Sequence, residues 1–375
     1  MISLLIFLLI LSVLILVHEL GHFAVAKKSG VLVEEFGLGI PPRLFSKKIG
    51  ETTYSINALP FGGFVKLYGE DDENENTQNN PKSFLNKSTG WRACIIVAGV
   101  SMNLLLGLVL YTVFFFSTGN KSMTIPVFFD HKFKFGEPVY INTVITDFME
   151  GSYGEGAGLR VGDIVLEIDN TPVYSVEDIR NTMSGKKEME VSLLVRDSQD
   201  LRGEGSRVVN TTPVLNSEGE ARLGVYLSEA VNIVYPSTIS AGPMHAYNMM
   251  AYTFNTFGEF IKISLDTKSI KPVSSGVAGP IGIYSIVDAI LTYDRANAVL
   301  SLIDLTALMS LSLAFLNVLP LPALDGGRLL FIMIEKVTGK RVHQKFEAAV
   351  HRWGLVFFLS LLALITIKDI FRIVL

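Results

Sequence analysis

The uncharged run ISLLIFLLILSVLILV (Ile2–Val17) leads directly into HELGH (His18–His22). Extended to about Ala26, it meets the roughly 20 residues that a helix needs to cross a hydrocarbon core. On a helix, residues i and i+4 lie one above the other on the same face. His18 and His22 can therefore share one metal ion. Glu19 follows the first ligand, where a carboxylate can reach a water on that metal as general base. Three fixed letters in five occur by chance in long chains, but here the setting decides. Ionisable groups beside an apolar run are costly at a membrane unless they are paired or ligating. The run also lacks the basic start and A-x-A cleavage site of a signal peptide. Residues 1–28 therefore read as a retained first span carrying a metal site. Lys27 and Lys28 follow it, so the positive-inside bias turns the motif end toward the cytoplasm.

The whole chain fits this setting. Of its 375 residues 49% are hydrophobic and 18% charged, with mean hydropathy +0.40. These values describe a polytopic α-helical membrane protein of about four spans with a soluble insert. A net charge of −4 gives no basis for a nucleic-acid partner. The single cysteine, Cys94, lies in an apolar run and reads as a small buried residue.

Outward from the first span, residues 29–92 are mixed. ETTYSINALPFGGFVKL (Glu51–Leu67) alternates like strands, with Pro60 and Gly62-Gly63 as turn signals. A hairpin here is either cytoplasmic or apolar enough to dip into the membrane beside protein. Glu70–Asn80 reads as a solvated acidic loop. Residues 93–117 form a second span, in which Gly99 and Gly107 permit close packing and Asn103 is a candidate accessory residue. Residues 122–229 look soluble. GAGLRVGDIVLEIDNTPVYSVEDI (Gly156–Ile179) combines a G-L-x-x-G-D turn, an alternating strand and a helix start capped by Ser175. It closely resembles a PDZ domain, which binds extended peptides by strand addition. Within 235–296, Ala246–Leu265 reads as an interfacial amphipathic helix, with a fifth span as the alternative. Residues 297–322 form a third span with Asp304 near its outer end. Residues 323–352 are a cytoplasmic loop, and 353–370 a fourth span. His131, His245, His343 and His351 read as surface residues.

Catalytic zinc usually takes three protein ligands and leaves one position open. NVLPLPALDGGR (Asn317–Arg328) closes the third span, at the depth expected for His18 and His22. Alone, L-D-G-G is a plain turn; paired with H-E-x-x-H, Asp325 is the best third ligand. Pro320 and Pro322 are expected to keep this segment out of regular helix and extended. Its carbonyls and the Asn317 amide would then be available to an unwound peptide.

HELGH in the first span, a PDZ insert after the second and NVLPLPALDGG after the third resemble the site-2 protease family of intramembrane zinc metalloproteases. The likeness covers essentially the whole chain and is strongest to the bacterial regulator-of-sigma-E protease (RseP) group. The resemblance implies Zn2+ held by His18, His22 and Asp325, with Glu19 activating water. It implies that Asn317, Pro320 and Pro322 handle the unwound substrate, and that Gly62 and Gly63 belong to a membrane-associated β-hairpin presenting a substrate edge. The implied substrates are single-span membrane proteins already shortened on their outer side, of the anti-sigma-factor type, or remnant signal peptides. The implied location is the bacterial inner membrane, with the PDZ domain periplasmic. Two features depart from the group: one PDZ domain instead of two, and Gly99-Val100 where a Gly-Pro often precedes the Asn. A non-catalytic adaptor would not need Glu19, and a metal transporter is disfavoured by the absence of an internal repeat.

Overall fold

The computed structural model describes residues 2–70, 80–149, 151–187, 189–197, 205–215, 219–293 and 297–374. Most of the expected acidic loop, residues 71–79, lies outside the described residues. The chain forms two compact units. One comprises Met1–Leu110, Ile270–Leu291 and Leu305–Leu375; the other comprises Tyr111–Ser269 and Thr292–Asp304.

Among the described residues, four helices are long and apolar enough to cross a membrane: Ile2–Lys28, Thr89–Thr118, Ala298–Val318 and the stretch Gln344–Phe371. The second starts at Thr89, before Arg92. Arg92 does not end the helix because its guanidinium is buried and donates to the Glu335 carboxylate at 2.6 Å. Along this helix Ile95, Ile96, Val100 and Asn103 turn inward. Cys94 points the other way and is exposed, which corrects its reading as buried. Its apolar neighbours in sequence lie on different faces of the helix.

The first unit also holds a small sheet. Glu51–Leu67 does not fold into a hairpin of its own. Thr52–Leu67 is one strand with a bend, and it pairs with Val33–Ile49. The turn lies at Gly50 (φ +62°), while Gly62 (φ +89°) bends the strand rather than ending it. As a result, Val33–Leu38 has partners on both sides: Gly63–Leu67 on one and Thr53–Ile56 on the other. Among the described residues, Gly63–Leu67 is thus paired along one edge only, with Val33–Leu38.

The second unit is built on a sheet with order Ile125–Pro126, Val225–Val234, Glu137–Phe148, Asp163–Ile168, Val191–Asp197 and Ser206–Thr211; Thr171–Pro172 pairs with Asp163–Ile168. Alternate residues Val191, Leu193 and Val195 are buried, as expected of a strand with one face on a core. Ile179 and Met183 of the helix Val176–Met183 close that core. Ser175 caps this helix, its hydroxyl accepting from the Asp178 N–H at 3.1 Å. The G-L-x-x-G-D turn is tied by the buried Asp163, which accepts from the Arg160 N–H at 2.7 Å and from Arg207 at 2.5 Å. The next helix spans Thr238–Asp266. Its His245 is 1% exposed, correcting its reading as a surface residue. Tyr111, Phe115 and Tyr235 stack edge-on against it, and Nδ1 pairs with the Tyr235 hydroxyl at 2.9 Å. His351 is likewise half-buried, with Nδ1 accepting from the Ala323 N–H.

Candidate active site

The first helix buries Ser3, Phe7, Ile10, Leu14, His18 and Gly21. Their spacing of three and four residues makes one stripe along the helix, so His18 continues the face that packs against protein. Because nearly every residue before His18 is apolar, the sequence alone cannot reveal that face. The second span meets this stripe at very short range. A methyl group on Gly21 would strike the Ala98 carbonyl, and one on Gly99 would strike the two imidazoles. Small residues are what allow backbones to approach so closely in a membrane.

His22 Nδ1 lies 2.8 Å from the Ile95 carbonyl oxygen. A carbonyl only accepts, so the ring proton belongs on Nδ1 and Nε2 is left with its lone pair. His18 Nδ1 faces the Asn103 side-chain amide at 3.5 Å, and Asn103 is fully buried. Asp325 opens the helix Asp325–Thr338. The segment before it is not extended. Leu319, Leu321 and Leu324 donate to carbonyls two or three residues back, forming a compact turn. Ala323 adopts φ +69° within it. Gly326 and Gly327 sit against the carbonyls of Val318, Leu319 and Leu321, where no Cβ fits.

Three ligand atoms converge. His18 Nε2 and His22 Nε2 are 3.1 Å apart. Asp325 Oδ2 is 3.0 Å from the first and 3.3 Å from the second. It is buried and has no hydrogen-bond partner. A tetrahedral ion with bonds of about 2.0–2.1 Å has ligand atoms roughly 3.3 Å apart. The triangle fits a zinc ion and leaves one side open.

Glu19 lies beside this triangle and accepts a hydrogen bond from the Val65 N–H. A cavity of about 650 Å³ opens there, lined by the triad, Glu19, Phe64–Glu70 and Arg328. Gly63 approaches the first helix: a Cβ on it would lie 3.6 Å from Glu19 Cγ. Gly62 faces Ile40. Asn317, Pro320 and Pro322 are not among the described residues lining this cavity. Pro322 instead lines a separate apolar cavity with Leu321, Trp353 and Phe357. Two features are absent from the sequence reading. One is Val65, whose backbone contribution leaves no residue-type signal. The other is Arg328, ion-paired with Glu70; its position three residues after Asp325, on the same helix face, is a signal that was there to find.

The sequence profile described as "Peptidase family M50" matches residues 6–361. A Clostridium perfringens protein, named provisionally as a zinc metalloprotease, is 31% identical over 97% of both chains. The regulator of sigma-W protease RasP of Bacillus subtilis is 26% identical over 98% of both. A solved PDZ domain of an SdrC-like protein from Listeria monocytogenes covers 24% of this chain and 90% of its own, at 16% identity and a TM-score of 0.21.

Proposed function

The chain belongs to peptidase family M50, and from that premise we infer a zinc-dependent endopeptidase that hydrolyses a peptide bond within a membrane-spanning segment. The observation that carries this reading is the triangle His18, His22 and Asp325, with Glu19 beside it, at the end of a helix apolar enough to cross a membrane. When bound, zinc supplies Lewis acidity toward a water and toward the scissile carbonyl. Glu19 takes the proton from the attacking water on its carboxylate and passes it to the departing amide nitrogen. The Val65 N–H orients the Glu19 carboxylate for both transfers.

The bond to be cut must first leave its helix, because helical backbone is already hydrogen-bonded. Strand Gly63–Leu67 supports this step, since it is paired along one edge only and also lines the cavity. An unwound substrate would add to that strand, with Gly62 and Gly63 letting it bend toward Glu19. The substrates are pre-shortened single-span proteins of the anti-sigma-factor type, a reading supported by the name of the Bacillus subtilis relative, with signal-peptide remnants as a second class. The sheet-rich insert serves as a PDZ-type docking site or size filter on the outer side of the inner membrane, and the active site opens toward the cytoplasm.

The test is cleavage of a tagged, pre-shortened single-span substrate in detergent by wild type and Glu19→Gln, with zinc measured in both. Glu19→Gln is expected to keep its zinc and lose cleavage. Equal cleavage by both removes Glu19 as base.

A further inference from the structure

We propose that Asn103 is the positioning residue for His18: its side-chain carbonyl accepts the His18 Nδ1–H and so presents Nε2 to the metal. The inference rests on the zinc site proposed above.

The argument begins with the two rings. Each faces Asp325 through Nε2. A neutral imidazole that ligates through Nε2 carries its proton on Nδ1, and that proton needs an acceptor. For His22 the acceptor is the Ile95 carbonyl at 2.8 Å. For His18 the group at hydrogen-bond distance is the Asn103 amide. Its nitrogen faces Nδ1, while its oxygen is buried and has no partner. Two donors would then face each other beside a buried, unused acceptor. A half-turn of the amide exchanges oxygen and nitrogen within the same volume. The oxygen then accepts from Nδ1, and the opposition of two donors is replaced by a hydrogen bond. A buried donor facing a donor is unfavourable and a donor facing an acceptor is not, so the turned amide is the favoured state once His18 is a ligand.

The surroundings hold Asn103 in place. Its backbone carbonyl accepts from the Ser310 hydroxyl of the third span at 2.7 Å, and the residue has no exposure. Ile95, Gly99 and Asn103 are spaced by four along the second span and lie on one face. That face supplies an acceptor for His22, clearance for both rings and an acceptor for His18.

The test measures zinc affinity by competition with a chromophoric chelator on the full chain in detergent, together with the visible spectrum of the cobalt-substituted protein. Asn103→Leu removes the acceptor at similar volume. It is expected to weaken zinc about 10- to 100-fold, as losses of outer partners do, and to change the cobalt spectrum. Asn103→Asp keeps an acceptor and is expected to hold zinc at least as tightly as wild type. A packing role alone predicts the reverse, because a buried carboxylate disturbs a span more than a leucine does. Wild-type affinity in Asn103→Leu overturns the inference, as does equal weakening in both variants. If Asn103→Leu does not fold, Asn103→Asp decides alone: tenfold weaker zinc overturns the inference. A wild type that binds no zinc removes the metalloprotease reading with it, whereas zinc in the wild type and no difference among variants removes this inference only.

Discussion

Gly99→Ala isolates the closest approach in the site. The added Cβ would lie 2.3 Å from His22 Nε2, 2.7 Å from His22 Cε1 and 2.8 Å from His18 Cε1. Comfortable contacts begin near 3.5 Å, so the His22 ring would have to move by roughly 1 Å and the His18 ring by roughly 0.7 Å. The second span cannot simply retreat. It is already in contact with the first at Gly21 and Ala98, and with the third at Gly107 and Leu311. Two effects oppose each other. Alanine favours a helix over glycine by about 1 kcal/mol, while overpacking costs about 1–3 kcal/mol. Stability should therefore fall only modestly, by about 0–2 kcal/mol. Function should change more, because a site tolerates only about 0.5 Å of displacement and a misplacement near 1 Å can cost about 10²-fold in rate. Gly99→Ala is expected to melt near wild type, bind zinc about tenfold or more weakly, and lose about 10²-fold in cleavage rate. A thermal melt, chelator competition and cleavage of the pre-shortened substrate read these separately. Wild-type zinc affinity with wild-type cleavage would refute the close approach argued here.

Two further predictions concern other parts of the chain. Burial lowers His245 to about 3, against about 6.5 when unfolded. The unfolded state then binds more protons between these values, so stability is full above about 6.5 and falls as pH drops toward 3, by up to about 1.4 kcal/mol per pH unit. His245→Phe should flatten that part of a melt-versus-pH curve; an unchanged slope would remove His245 as its source. Glu335 joins Arg92 at 2.6 Å and Arg341 at 3.1 Å, and Arg92 is buried. Glu335→Ala strands that guanidinium and should cost about 3–5 kcal/mol; a denaturation midpoint equal to wild type would show that water or another group replaces the carboxylate.

What the sequence revealed, and what it hid, follows from how each signal is encoded. HELGH was legible because i and i+4 fix a geometry without any knowledge of the rest of the fold. Ser175 and the G-L-x-x-G-D turn were legible for the same reason: cap and turn are local. The small sheet was misread because its pairing is not local. Gly50 and Gly62 look alike in sequence, yet one ends a strand and the other bends it. The difference lies in the partner Val33–Leu38, which accepts strands on both sides. His245 lies in a flanking segment yet is buried, and Cys94 lies in an apolar run yet is exposed. In both cases the helix face, not the surrounding stretch of sequence, decides exposure.

The second span carries this reasoning furthest. By composition it is an apolar helix with two glycines and one asparagine. Composition allows Gly99 to be a packing contact and Asn103 an interhelical hydrogen bond, and both descriptions remain true in the structure. Neither says what is contacted, because the partners lie more than seventy residues away along the chain. Polar and small residues are expensive or entropically unfavourable in an apolar helix unless something opposite requires them. Here that requirement has one origin. Two imidazoles must keep their protons on Nδ1, and three groups on one helix face meet that need with a carbonyl, a gap and an amide. A metal held by His18, His22 and Asp325 would thus extend its demands to a span that supplies none of its ligands, and substitutions at Gly99 and Asn103 should be read first in metal affinity and only then in activity.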